Sequence, residues 1–513
     1  MLHDGEELAL LDVREAGQFG EAHLLFATPL PYSRLDLDVG ALVPRRSARV
    51  VLCDDGELGI AALAAKRLGA MGYSDVAVLE SGTKGWKAAG YTLFSGVNVP
   101  SKLFGELVEH EYHTPRVTVT ELARMQADGE DLVVVDGRPF SEYRKMSIPG
   151  GICCPNAELP YRIGEIVKSP KTKIIVNCAG RTRSIMGAQT LINFGIENPV
   201  YALENGTQGW VLADMALERG AARRYPDAVD ADRLDALQSR AKSLMARHGV
   251  LTASAGEVEA WLRDGSRTTY LLDVRTPEEF ARGSLPGAVH APGGQLIQAT
   301  DQWVGVRNAR LVLVDGEGIR APVVASWLKQ LGCDVVVLEG GVSAKVNAER
   351  APQPRLPKVA PITPEALKQA LDVGGCTVFD LRPSMSFREA HIPRTRWSIR
   401  SRLVEDARGA REPLVLVCDD VDVARLAAAD LLEAHHRAVR ILEGSLGAWT
   451  DAGLPTEASP QSPADGECID YLFFVHDRHA GNREAMKQYL AWETGLIAQL
   501  DAEDRKLFRV GTA

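Results

Sequence analysis

The stretch Val176-Asn177-Cys178-Ala179-Gly180-Arg181-Thr182-Arg183-Ser184 decides how this chain is read. An apolar run over residues 174–176 leads into a single cysteine. A short loop with two arginines follows. Residues 184–194 then show a helical pattern, with Ile185, Ala188, Leu191 and Ile192 on one face and Gly195 as the stop. Small loop residues let backbone N–H groups curl around an anion, and the helix N-terminus adds positive partial charge. Arg181 and Arg183 add two full cations. Such surroundings favour a thiolate, so Cys178 is a candidate nucleophile. A buried, inert strand-end cysteine is the competing interpretation, and two adjacent arginines argue against it.

The same strand-loop-helix context recurs three more times. Apolar runs end in Asp12-Val13-Arg14, Asp136-Gly137-Arg138, Asp273-Val274-Arg275 and Asp380-Leu381-Arg382. A second run follows each at 50–52, 174–176, 311–313 and 414–416, and a third ends at Leu79-Glu80, Leu203-Glu204, Leu338-Glu339 and Leu442-Glu443. Trp86, Trp210 and Trp449 close three of the repeats. Strands alternating with helices at this spacing predict a parallel sheet covered on both faces. The expected fold is therefore α/β: four tandem domains, each a mainly parallel sheet flanked by helices, plus a C-terminal strand-helix tail. The expected limits are 1–100, 101–226, 227–352, 353–458 and a tail at 459–513. Linkers are expected near 97–100, 226–232 and 352–361, with a polar connecting helix over 231–247. In the first repeat the opening strand and most of the helix found at 118–128, 254–264 and 363–370 are missing, so either that domain is abridged or the true start lies upstream. In the tail, 470–475 reads as a strand. Residues 482–507 read as a helix with Met486, Tyr489, Leu490, Ile497 and Leu500 on one stripe.

A chain of 513 residues exceeds what one core can serve. Hydrophobic residues at 45% and charged residues at 25% are ordinary for a soluble globular protein. A formal charge of -10 argues against nucleic acid or an anionic membrane as partner. No apolar run approaches the roughly 20 residues of a membrane span, and the acidic start lacks a signal-peptide pattern. Eight cysteines spread over this length suit a reducing compartment, and a cytoplasmic location is expected. His476-Asp477-Arg478-His479 has no supporting Cys or carboxylate cluster, so neither a metal nor another cofactor is expected.

The segment Cys178-Ala-Gly-Arg-Thr-Arg183 resembles the Cys-x4-Arg active loop of the rhodanese-like sulfurtransferases. The resemblance extends to Asp136-Gly-Arg138, Ser147-Ile-Pro-Gly-Gly151 and Glu204-Asn-Gly-Thr-Gln-Gly-Trp210, with partial copies at 283–289 and 391–393. It implies four tandem rhodanese-like domains, one of them catalytic. It also implies that the Cys178 thiolate takes sulfur from a small anionic donor such as thiosulfate. The resulting persulfide would be held by Ala179, Gly180, Arg181, Thr182, Arg183 and Ser184, with Arg181 and Arg183 attracting the donor. A thiol, a protein sulfur acceptor or cyanide would then receive the sulfur. Aligned through the following helices, the other repeats place Asp55, Asp315 and Asp420 (or Asp419) at the Cys178 position. A carboxylate cannot become a persulfide, so those copies are expected to be inactive. One alternative is a persulfide relay or partner-recruiting scaffold. Another is a phosphatase or arsenate reductase, but those use Cys-x5-Arg, and Ser184 stands where that arginine would be. Asp136 and Arg138 read as a structural brace, and Cys53 and Cys418 as buried strand thiols. Cys153-Cys154 could supply a resolving thiol or simply pack in the core.

Overall fold

Apolar runs that are buried on both faces pair in parallel here. The computed structural model describes residues 1–57, 59–348, 354 and 356–511, and among these the strands form four parallel sheets. The first holds β1 (Ala9–Asp12), β2 (Thr28–Pro29), β3 (Val50–Cys53) and β4 (Val76–Val78) in the order β2-β1-β3-β4. The second holds β5 (Arg116–Val117), β6 (Leu132–Asp136), β7 (Ile152–Cys153), β8 (Lys173–Asn177) and β9 (Val200–Leu203) in the order β5-β9-β8-β6-β7. The third, β10 (Leu251–Ala253), β11 (Thr269–Asp273), β12 (Val289–His290), β13 (Arg310–Val314) and β14 (Asp334–Leu338), repeats that order. So does the fourth, β15 (Ala360–Ile362), β16 (Thr377–Asp380), β17 (Arg396–Trp397), β18 (Leu414–Val417) and β19 (Val439–Leu442). The first sheet has no counterpart of β5, β10 or β15, so β4 is an edge strand and Val78 is 43% exposed. The expected boundary at 352–353 and part of the 352–361 linker lie outside the described residues, as does Leu58.

The chain divides into two compact units. One comprises Met1–Leu8, Asn98–Ala351 and Phe474–Ala513, and so holds the second and third sheets. Its connecting helix, Leu234–Arg247, buries Leu237, Ala241 and Leu244 against Tyr161, Phe194, Ile319 and Val323. Three apolar positions four and three apart explain why a mostly polar sequence docks as a helix. Trp327 is fully buried in the same unit. It meets Phe104 edge-on at 5.9 Å and donates from Nε1 to Thr190 Oγ1 at 2.8 Å. The other unit comprises Ala9–Val97 and Pro352–Phe473, with the first and fourth sheets. Its buried Arg400 donates to Asp430 at 2.8 Å, to Asp36 at 2.7 Å and to the Tyr32 carbonyl at 3.1 Å.

The tail differs from expectation. Residues 470–475 form no strand; Phe473–His476 is a short helix. Leu472 and Val475, the buried members of that run, lie three apart, a helical spacing. The helix expected over 482–507 is broken into Arg483–Thr494, a 3-10 turn at Ile497–Gln499, and Ala502–Arg505. Gly495 ends the first piece, and Asp501 caps the last through bonds from Glu503 and Asp504 N–H. No helix among the described residues is long and apolar enough to cross a membrane.

Trp327→Ala should destabilise the unit holding the second and third sheets by about 3–5 kcal/mol. The expected readout is a lower urea midpoint for its unfolding transition; an unchanged midpoint would contradict the packing described.

Candidate active site

The site begins with the Asp-x-Arg triplet. Asp136 ends β6 and pairs in register with Asn177, which ends β8, so the next residue, Cys178, leaves the sheet beside it. Arg138 folds back onto Asp136, with Nε to Oδ1 at 2.9 Å and Nη2 to Oδ2 at 2.8 Å, and also donates to the Met146 carbonyl at 2.6 Å. Asn177 donates to Asp136 Oδ2 at 2.7 Å. The pair is buried and braces the strand ends on which the loop stands, as the sequence suggests.

The loop turns its carbonyls outward. The Cys178 carbonyl accepts from Thr207 N–H at 2.9 Å, and the Ala179 carbonyl accepts from Gln208 N–H at 3.1 Å and Gln208 Nε2 at 2.9 Å. Gly206, at φ +48°, makes this possible: a Cβ there would stand 2.2 Å from the Cys178 oxygen. The Arg181 carbonyl accepts from Ser184 N–H at 3.0 Å and Ser184 Oγ at 2.8 Å. The N–H groups of Ala179 to Arg183 are bonded to no acceptor among the described residues. The helix Thr182–Asn193 follows, starting two residues earlier than the sequence pattern suggests. Cys178 itself is 2% exposed.

The two loop arginines are held by carboxylates. Arg181 donates to both oxygens of Glu106 at 2.9 Å and also to Glu109. Glu106 lies on the helix Val99–Tyr112, whose Gly105 permits the approach: a Cβ there would meet Thr182 Cγ2 at 2.5 Å. Arg183 makes a two-bond pair with Glu142, both at 2.8 Å. Burial opposes ionisation of Glu142, but the Arg183 charge and hydrogen bonds outweigh it and hold the carboxyl down at about 2.

The C-terminal helix Arg483–Thr494 supplies groups that the loop sequence does not announce. Glu493 is fully buried, and its Oε1 accepts from Thr182 Oγ1 at 2.6 Å and Lys102 Nζ at 2.9 Å. Burial opposes its charge, yet Lys102 and the Thr182 bond keep its carboxyl below the usual range. Tyr489, one turn earlier, places Cε1 at 3.5 Å from where a Cβ on Gly180 would stand. One signal was legible: Glu493 falls four residues after Tyr489 and seven after Met486, on the apolar stripe of its helix.

The sheet register corrects two expected equivalences. Asp12 pairs with Cys53, Asp273 with Val314 and Asp380 with Val417, so Asp54, Asp315 and Cys418 occupy the Cys178 position. Asp55 and Asp420 lie beyond it, by one and two residues respectively. Alignment through the helices fails because the intervening loops differ: 179–181 in the second domain, 55–59 in the first, 316–319 in the third and 419–420 in the fourth. Asp54 fills its own cradle, accepting from Gly56 N–H at 2.8 Å and Ala61 N–H at 2.9 Å. Asp315 accepts from Gly318, Ile319 and Ala321 N–H at 3.0, 2.8 and 3.0 Å. Asp420 is instead the helix cap, bonded by Asp422 and Val423 N–H, while Asp419 accepts from Ser445 Oγ at 2.7 Å.

Burial pushes the Cys418 thiol up to about 12, and Cys53, Cys153 and Cys154 upward as well. Cys153 and Cys154 are buried, which favours core packing over a resolving role. Among the described residues no group of three or more His, Cys, Asp or Glu is placed to hold a metal ion.

A strand-loop-helix unit at the carboxyl end of a central parallel strand, repeated four times and carrying the Cys178 loop in the second copy, defines a tandem α/β array built on one domain type. The model of the rhodanese-like domain matches residues 1–89, 118–213, 254–348 and 363–452, and the chain belongs to that family. A solved structure described as thiosulfate sulfurtransferase from Pseudomonas aeruginosa is 46% identical, covering 98% of this chain and 96% of that one at a TM-score of 0.90. Among curated proteins, the HTH-type transcriptional regulator Rv0324 of Mycobacterium tuberculosis is 32% identical over 111 residues, 22% of this chain and 48% of its own length. The tRNA 2-selenouridine synthase of Chromohalobacter salexigens is 34% identical over 149 residues, 20% of this chain and 40% of its own length. The chain thus spans less than half of either curated relative.

Lys102→Met should cost about 3–5 kcal/mol, because it strands the Glu493 charge in the interior. The double variant Lys102→Met/Glu493→Leu should recover much of that loss. Because the folded-state carboxyl of Glu493 is depressed, the pair's contribution is present at neutral pH and lost on acidification as that carboxyl protonates. Chemical denaturation of the three proteins at neutral and acidic pH checks both points.

Proposed function

We propose that the chain is a thiosulfate-type sulfurtransferase acting through Cys178, with the domain 101–226 catalytic and 1–100, 227–352 and 353–458 inactive. The observation that carries this reading is the Cys178 loop itself: a thiol followed by three residues and a helix, with carbonyls turned out and N–H groups left for an anion. Likeness along nearly the whole chain to a protein described as thiosulfate sulfurtransferase supports the donor class.

In the first half-reaction the Cys178 thiolate attacks the outer sulfur of thiosulfate. The sulfur–sulfur bond of the donor breaks, sulfite leaves with the electron pair, and a persulfide anion forms on Cys178. The N–H groups from Ala179 to Arg183, with the start of the Thr182–Asn193 helix, stabilise that terminal charge. In the second half-reaction an acceptor thiolate or cyanide attacks the outer sulfur, and the Cys178 thiolate leaves. Two such halves give ping-pong kinetics. The paired state of Arg181 and Arg183 revises their expected part: they shape and neutralise the loop more than they offer open charge to the donor. Eight free thiols suit a reducing, cytoplasmic setting.

The test is intact mass after incubation with thiosulfate. A gain of about one sulfur atom and release of sulfite are expected, both absent in Cys178→Ser. Cys418→Ser should leave turnover unchanged, because that thiol is pushed up to about 12 and sits on a shorter loop. No adduct on the wild-type chain would remove the sulfurtransferase reading; hydrolysis of an aryl phosphate would replace it with the phosphatase alternative.

A further inference from the structure

The cations of the Cys178 loop are matched by carboxylates. Arg181 is held by Glu106 and Glu109, Arg183 by Glu142, Lys102 by Glu493 and Arg138 by Asp136. An anionic donor therefore meets a loop whose full charges are largely neutralised. Arg478 is different. Its Nε donates to the Val475 carbonyl at 2.8 Å, and its guanidinium carbon lies 3.4 Å from the centroid of the Tyr489 ring. Among the described residues no carboxylate lies within ion-pair distance of it. The same Tyr489 ring lies beside the loop, its Cε1 3.5 Å from where a Cβ on Gly180 would stand. The guanidinium thus stands about one ring away from the catalytic loop, half-buried, and its field reaches both Lys102 and Glu493.

We propose that Arg478, carried by the C-terminal segment and held flat on Tyr489, is the specificity-determining cation that receives the anionic end of the sulfur donor. Stacking on an aromatic face fixes the plane of a guanidinium while leaving its Nη groups to bind an oxyanion in a two-bond fork. The ligand class is a small sulfane donor with a sulfonate-like end, for which thiosulfate is the simplest probe. This inference rests on the sulfurtransferase reading above but has its own readout.

The experiment compares alkylation of Cys178 by iodoacetate and by iodoacetamide in the full chain, with the modified peptide identified by mass. The ratio of the two rates cancels the intrinsic reactivity of the thiol and reports attraction of an anion. Arg478→Gln should lower the ratio about fivefold and raise KM for thiosulfate in similar proportion, with kcat little changed. Arg478→Lys, which keeps the charge, should retain most of the ratio. An unchanged ratio in Arg478→Gln overturns the assignment. An equal fall of both rates in Arg478→Gln and Arg478→Lys also overturns it, since that pattern marks a packing role. A wild-type chain that takes up no sulfur from thiosulfate would defeat the sulfurtransferase reading instead, and the alkylation ratio would still decide the role of Arg478.

Discussion

A buried aspartate at the end of a strand, bridged to the arginine two residues on, is the constraint on which each domain depends. The geometry repeats closely. Arg14, Arg138, Arg275 and Arg382 donate from Nη2 to the preceding aspartate at 2.6, 2.8, 2.6 and 2.6 Å. Each also donates to a carbonyl eight residues on, at 2.6, 2.6, 2.7 and 2.7 Å, in Ala22, Met146, Gly283 and Ala390. A buried charge pair adds little net stability against an apolar alternative, but losing one partner is expensive, so the arrangement is all-or-none. It ties the end of one strand to the loop that leaves it. The aspartate is also in register with the residue just before the cradle position on the neighbouring strand, which fixes where the next side chain emerges.

What emerges at that position decides what each domain can do. In the first and third domains a carboxylate accepts the N–H groups that an external anion would otherwise take. Such a cradle is satisfied from within and has no nucleophile. The fourth domain does place a thiol there, Cys418, but only residues 419–420 separate it from the helix. Ser445, also at positive φ, stands where Gly206 stands in the second domain, and a Cβ at Gly206 would meet the Cys178 oxygen at 2.2 Å. The shorter loop and the added side chain go together, and burial keeps that thiol protonated. Cys178 alone combines a thiol, a three-residue loop and an open set of N–H donors.

Much of this was legible in the sequence, because parallel strands and Asp-x-Arg turns leave local patterns. The fourfold repeat, the missing opening strand of the first sheet and the cysteine loop that ends β8 could all be read from residues close together in the chain. The exact equivalence of the other loops could not. Helix alignment assumes constant loop length, whereas hydrogen-bond register counts residues along the strands, and the loops vary from two residues to five. The tail was harder still. A run such as Tyr471-Leu-Phe-Phe-Val475 fits a strand or a buried helical turn, and only its neighbours choose between them. Glu493 reaches Thr182 across 311 positions, a contact that no local pattern encodes.

The third domain shows what the loop arginine is for. Arg320 follows Asp315 at the same distance as Arg183 follows Cys178, and Glu279 follows Asp273 as Glu142 follows Asp136. In both domains the arginine forms a two-bond pair with that glutamate, at 2.8 and 2.8 Å for Arg183 and at 2.5 and 3.0 Å for Arg320. In both, burial works against the glutamate charge and the arginine overrides it, holding the carboxyl at about 2. Arg320 is fully buried and also bonds Glu158 and Glu317, in a loop with no thiol to serve. A pair kept in a loop without a thiol is a device of the fold: it anchors the loop helix to the turn after the Asp-x-Arg strand. Its twin at Arg183 makes the same pair with Glu142 and so shares that task. The C-terminal segment, which the repeats do not contain, adds Arg478, stacked on Tyr489 and felt by Glu493.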